Sequence, residues 1–381
     1  MPDFTAIYVH LYDAVYQITF HAARAVLAFL QRDSFLYWPF LISTVVIAML
    51  AWRFGHASGG VAGPASWGEF FRRFFGRTLW WHPSARADYR YYLVNAVVFP
   101  LLVSPFLFGD NAVASLIDKA LGPILGPAAP GTVSAGIGAK VAYTLLFFVA
   151  YDFGRFAAHS LLHDVRVLWE FHKVHHSAEV LTPMTTFRVH PIDLAVMAWV
   201  PAVTTGVVTW LFHRYVDAGV GFYTFLGLHA VMWVGNLIGN LRHWQVWLSY
   251  GQALNRWLIS PAHHQLHHSA EPRHWGCNRG FELAIWDRLY GTLYVPSNEP
   301  ETFRMGLGDG TDGKWNTLGR MYLWPFQLAF RPPQGQVTRD AVERDAVNCD
   351  AIERDAVNRD AVERDAVNRD AIERDAKPRH P

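Results

Sequence analysis

The sequence predicts an all-α fold: a polytopic membrane helical bundle with a histidine-lined cap on the cytoplasmic side. Three observations lead there. The 381-residue chain is 51 % hydrophobic and only 17 % charged, and its apolar residues gather into five runs near the length of a bilayer span. Arginines crowd one loop between those runs and are missing from the next. Fourteen of the 19 histidines lie between His159 and His274, in groups that follow apolar runs.

The first segment, 9–30, carries His10, Asp13, His21 and Arg24 among apolar residues. It reads as an interfacial or spanning helix within an N-terminal unit, 1–36, with the interfacial form favoured. Runs 37–52, 91–108, 141–158, 194–212 and 220–241 follow, set against the ~20 residues that a helix needs to cross hydrocarbon. Pro100 and Pro105 should kink the second. Arg53, Arg72, Arg73, Arg77, Arg86 and Arg90 lie between the first two runs, whereas 109–139 holds Lys119 with Asp110 and Asp118. Positive-inside logic puts the arginine loop in the cytoplasm and 109–139 outside. The third run then delivers His159, and the fifth His243, to the cytoplasmic face. A Trp-rich stretch, 280–330, caps that face. From Arg339 a five-residue repeat (RDAVE, RDAVN) forms a low-complexity tail, 336–381, which carries no chemistry. Asp340 and Arg344 stand four apart, as salt-bridged helix neighbours do, and disorder suits the tail equally well.

Composition excludes several classes. A net charge of +1 leaves no nucleic-acid footprint. Two cysteines, Cys277 and Cys349, make neither a disulfide framework nor a four-cysteine zinc site. Residues 1–7 lack the basic start of a signal peptide.

The histidine groups carry the chemistry. His159 and His163 stand in AAHSLLHD, His172, His175 and His176 in FHKVHHS, and His264, His267 and His268 in PAHHQLHHS, with His243 in NLRHW. Spacings of three and four put residues on one helix face, so each group should aim its rings at one point. Neutral imidazole suits iron, zinc or copper, and one ion takes at most about six such ligands. Eight or nine histidines therefore fit two ions.

These boxes in a polytopic chain resemble the fatty acid hydroxylase / sterol desaturase superfamily. LWEFHKVHHSAE is similar to its second box, SPAHHQLHHS to its third, and NRGFELAIWDRLYGTLYVP to the segment after it. The similarity runs over about 37–330. It implies a membrane hydroxylase or desaturase domain over 37–335 with a catalytic core of about 141–296. It further implies two iron ions, O2 as co-substrate and a lipid substrate. Electrons would come from an external donor, cytochrome b5-like or ferredoxin-like with its reductase. The implied ligands are His159, His163, His172, His175, His176, His264, His267 and His268, with His243 as a ninth; Gln245 stands where a tenth would be.

Other residues divide between roles. His263 should point aside from the site, and His190, before Pro191, should orient a ligand from behind or be structural rather than ligate. His274 could orient a ligand or meet substrate. His229, 14 residues before His243, would lie about 21 Å away on an unbroken helix, too far to share the site. Asp152, Asp164, Glu170 and Glu179 could orient imidazoles or be ordinary surface charges, and Asp287 should join the cap to the helices. Rival functions are a metal transporter, which should spread ligands through the membrane depth, and a haem protein, which would use two axial histidines. A zinc protease would need the absent H-E-x-x-H.

Overall fold

A computed structural model describes residues 4–54, 66–126, 136–225 and 228–331. The repeat tail lies outside these residues. Thirteen α-helices account for most of the described chain. They are α1 Phe4–Val26, α2 Trp38–Arg53, α3 Trp67–Phe75, α4 Arg77–Trp80, α5 Pro83–Leu102, α6 Asp110–Leu125, α7 Ile137–Asp164, α8 Arg166–His176, α9 Pro191–Tyr215, α10 Ala230–Gly239, α11 Pro261–His267, α12 Ile285–Tyr290 and α13 Leu318–Ala329. The one described sheet is a hairpin of two-residue strands, β1 Thr224–Phe225 and β2 Leu228–His229. The fold is an all-α membrane bundle.

Among the described residues, α7 and α9 are each long and apolar enough to cross a bilayer, and α5 with α6 makes a third candidate bent by 40°. The bend follows from chemistry. Pro100 sits in the last turn of α5 and Pro105 just after it, and each removes a helical N–H. The apolar run 91–108 is thus the end of one helix and a turn, not a single span.

Two further expectations are corrected. Residues 109–139, read as an outer loop, contain α6, which packs along α9. Asp110 accepts from Thr209 at 2.9 Å and Asp118 from Arg214 at 2.7 Å, so the two acids pair α6 with α9. A Cβ on Gly206 would come within 2.5 Å of Val113, so α9 needs a glycine where α6 approaches. Residues 220–241, read as a fifth span, hold the hairpin and then α10, whose 10 residues rise about 15 Å, half of a hydrocarbon core. Gly219 and Gly221 open this stretch, and glycine costs a helix about 1 kcal/mol per residue. His229 lies in β2, not in mid-helix. α2, at 16 residues, is a shorter apolar helix.

α7 and α9 form the central pair. A Cβ on Gly154 would approach the Pro201 Cα to 2.6 Å, so the two backbones touch there. The cap clamps one end of this pair. Asp152 on α7 accepts from the Glu282 and Leu283 amides and from Trp286 Nε1. Asp287, expected to join the cap to the helices, instead accepts from the Arg279 and Gly280 amides and the Thr292 hydroxyl and so closes the cap loop on itself; Asp152 makes the junction. Ala87, Tyr91, Trp169, Leu307, Trp315 and Met321 form a core that binds α13 and the cap to α5 and α8.

Candidate metal centre

The site is built where four helix ends meet. α7 presents His159 and His163 in its last two turns, and α8 follows after a single residue. α9 begins at the same level, with Asp193 in its first turn. His243 follows the end of α10. α11 is short but firmly started: Pro261 at its first position, Ser260 as N-cap, and a capping box in which His263 Nδ1 accepts from the Ser260 amide at 3.0 Å. His263 is thereby committed to the helix start, aside from the site.

All nine expected histidines converge, and they do so as two groups. His159, His163, His172, His176 and His267 form one, and His175, His243, His264 and His268 the other, with candidate ligand atoms in each group within 4.8 Å of one another. Each is less than 9 % exposed. The expectation that each sequence triplet aims at a single point is wrong. Within H-x2-H-H, the first and last residues stand roughly 40° apart on a helix, while the middle one points about 60° to the other side. His172 and His176 therefore face one group and His175 the other; His264 and His268 face one and His267 the other. The groups abut, with the His176 and His268 rings stacked at 4.7 Å.

Outer hydrogen bonds set the rings. His159 Nδ1 donates to the Arg279 carbonyl at 2.7 Å, His267 Nδ1 to the Cys277 carbonyl at 2.8 Å, and His175 Nδ1 to the Arg188 carbonyl at 3.3 Å. His172 Nδ1 donates to Asp193 Oδ2 at 2.6 Å, and His243 Nδ1 pairs with the Thr186 hydroxyl at 2.9 Å. A proton on Nδ1 leaves Nε2 bare. The Nε2 atoms nevertheless crowd together: His159 to His172 at 3.0 Å, His159 to His267 at 3.1 Å, His243 to His264 at 2.8 Å and His243 to His175 at 3.2 Å. Bare lone pairs repel at that range unless a cation sits among them. Both ring nitrogens of His163 and of His176, and His268 Nδ1, are buried without a hydrogen-bond partner. Leaving such a group unpaired costs about 1–3 kcal/mol, and metal ligation would remove that cost at one nitrogen of each ring. The residues present thus fit metal ions.

Electrostatics points the same way. Burial, reinforced by neighbouring imidazoles, pushes the pKa of His176, His243, His264, His267 and His268 well below the ordinary histidine value and that of His175 down to about 3. The rings are held neutral, the form that ligates.

The orienting carboxylate is one that sequence reasoning missed. Asp152, Asp164, Glu170 and Glu179 pair instead with the cap loop, Arg279, Lys173 and Asn316. Asp193 does the work; its signal was an acid two residues after a helix-starting proline in HPID. His190 caps α9, accepting from the Ile192 amide at 3.1 Å. His274 meets Ser269 and Glu301 and stands outside both groups.

Comparison with known proteins agrees with this geometry. The fatty acid hydroxylase family matches residues 144–292, a stretch that holds all nine histidines. The chain is 30 % identical over 164 residues to an ornithine lipid hydroxylase of Rhizobium tropici, covering 42 % of this chain and 44 % of that protein. It is 27 % identical over 186 residues to an alkylglycerol monooxygenase of Danio rerio, covering 47 % and 37 %. It is 29 % identical over 161 residues to a delta(7)-sterol 5(6)-desaturase of Gibberella zeae, covering 41 % and 43 %. The chain thus spans less than half the length of these relatives. No solved structure matches it.

Proposed function

Because this chain belongs to the fatty acid hydroxylase / sterol desaturase superfamily, we propose that it is an O2-dependent di-iron oxidoreductase that hydroxylates or desaturates a lipid C–H bond. One observation carries the reading: nine buried imidazoles divide into two abutting sets at one end of the spanning helices. A transporter would place ligands along the membrane depth, and this chain places them at a single level. The domain of 37–335, the iron identity of both ions, the nine ligands and the cytoplasmic position of the site belong to the same proposal.

His159, His163, His172, His176 and His267 would hold one iron, and His175, His243, His264 and His268 the other. Iron held this way supplies the oxidising power to break an unactivated C–H bond. The chain's own part is to position and protect. The carbonyls of Arg279, Cys277 and Arg188 and the carboxylate of Asp193 keep protons on Nδ1 and so keep Nε2 facing inward. Burial of the cluster excludes bulk water. Electrons arrive from an external cytochrome b5-like or ferredoxin-like donor with its reductase, since the sequence holds no nucleotide, flavin or haem motif. The lipid reaches the site from the bilayer.

The test is iron content with lipidomics. Purified chain is expected to hold about two irons, the number that nine imidazoles suit. A host carrying the gene should gain a lipid heavier by one oxygen or lighter by two hydrogens. His267→Ala and His268→Ala draw on different sets, so each should retain about one iron and lose turnover while still inserting in the membrane. Full turnover in either variant overturns the ligand assignment. A chain cut after residue 335 should keep wild-type turnover; a large loss would give the repeat tail a role.

A further inference from the structure

We propose that two clusters of exposed aromatic and leucine side chains form a collar that seats the cap in the leaflet on the histidine side, with the headgroup–acyl boundary of the bilayer level with the histidine cluster. The inference rests on the spanning bundle and needs no oxygenase chemistry.

The first cluster lies on α3 and at the end of α4. Phe70 and Phe74 are buried beside Trp52 and Trp244. Trp67, Phe71 and Phe75, at spacings of four, form an adjoining stripe that is exposed, and Trp81 is exposed after them. Glu69, Arg72 and Arg73 hold the opposite arc. An apolar arc wider than its own core contact, with charge across from it, is the pattern of a helix that lies in the plane of a membrane surface. The second cluster is on the cap, with Leu254 and Trp257 in one turn and Leu289 and Tyr290 at the end of α12. The Ala284 amide donates to the Trp257 carbonyl at 2.9 Å, and the Arg288 guanidinium stands over the Trp257 ring at 5.1 Å, which joins that turn to α12. In both clusters every exposed apolar side chain named here is at least 39 % exposed. Apolar groups gathered in this way mark a contact surface.

Both clusters stand at the height of the histidines. The Phe75 ring is 5.2 Å from that of Trp244, which follows His243 in the chain. The Tyr290 ring is 5.1 Å from that of Phe156, one turn before His159. Trp286 meets Phe153 at 5.0 Å, so α12 lies beside the end of a spanning helix rather than beyond it. The bilayer reaches that height. On α7 exposed apolar side chains run from Ile137 to Leu161. That is a rise of about 36 Å, against ~30 Å of hydrocarbon.

The occupant is the bilayer. Tyr290 packs on α7, so its cluster continues a surface that already meets lipid. The two clusters flank different histidine sets, one beside His243 and the other beside His159. A partner molecule on one face does not cover both, whereas a leaflet surrounds the helices. In each cluster an indole also carries a guanidinium, Arg77 over Trp81 at 5.9 Å and Arg288 over Trp257. Indoles at a membrane–water boundary, with arginine heads reaching outward from apolar stems, suit a headgroup layer.

The test is photo-crosslinking. p-Benzoylphenylalanine replaces Phe71, Leu289 or Lys314 in the full, metal-free chain. Each variant is held in nanodiscs of phosphatidylcholine with deuterated acyl chains. Lys314, exposed in the polar loop 309–314, is the control. Peptide mass spectrometry after irradiation should find a deuterated phospholipid adduct at positions 71 and 289 and none at 314. Loss of the adduct at either collar position overturns the proposal. So do crosslinks between chains there, which would make the patch an interface between copies. Equal adduct at all three positions overturns it too, since the collar would then be no nearer to lipid than the rest of the cap. No iron or turnover enters the assay. Its failure therefore leaves the oxygenase reading standing, and a chain that takes up no iron leaves the collar untouched.

Discussion

Asp193 shows how much one side chain controls. Its carboxylate accepts the His172 Nδ1 proton at 2.6 Å and is 1 % exposed, so no solvent replaces it. Removing an orienting partner of this kind lowers metal affinity or activity by about 10–100-fold. Asp193→Ala should show that loss in iron titration and in turnover, with Asp193→Asn milder because its amide oxygen still accepts. Equal iron affinity in Asp193→Ala and wild type would mean that the ring is held by packing alone. Arg188 works in the other direction, from the fold to the site. Its guanidinium donates to the Val174 carbonyl, the Ser177 hydroxyl and Asp88, while its own carbonyl receives His175 Nδ1.

At the scale of elements, that residue ties three pieces together. Asp88 is on α5, Val174 on α8, and Arg188 lies just before α9, with both charges fully buried. Breaking a buried pair on one side costs about 3–5 kcal/mol, because the remaining charge loses its partner. Arg188→Met should therefore lower the unfolding free energy by roughly that amount. The double variant Arg188→Met/Asp88→Leu should recover much of it, as replacement of both charges by apolar groups often does. Thermal or denaturant unfolding in detergent decides; no recovery in the double variant would show that the hydrogen bonds matter more than the charge. The short helices divide the labour. α7 and α9 supply the membrane path, while α8 and α11, with 11 and 7 residues, supply six of the nine histidines when the C-cap His268 is counted. Short helices can do this because each is anchored at its start: α11 by its capping box, α8 by the single-residue connection from α7.

For the whole molecule, the histidine cluster is a debt left by folding: nine buried imidazoles from four parts of the chain, with nitrogens unpaired or facing one another. Metal binding would settle it and so link metal occupancy to stability. A ligand at 1,000 times its Kd adds about 4 kcal/mol to the folded state. Metal-free chain should therefore melt lower than iron-loaded chain, by several degrees for a protein of this size. Identical melting curves would mean that the cap closes without help from the ions.

Much of the plan was legible in the sequence, because local chemistry sets it. The apolar runs at 141–158 and 194–212 became α7 and α9, since helix length and hydropathy are properties of a segment alone. The histidine spacing announced a metal centre for the same reason. The run at 220–241 misled because its apolar content outweighed glycines whose effect on the backbone periodicity does not register. The segment 109–139 read as a loop because the partners that pair its helix with α9, Thr209 and Arg214, lie 99 and 96 residues from Asp110 and Asp118. Sequence alone determined which residues form the site and that helices carry them. Only tertiary packing decided how they divide. The pitch of α8 and α11 turns each triplet two ways, and packing brings the split faces together, so that two histidine groups arise from motifs that each seemed to aim at one point.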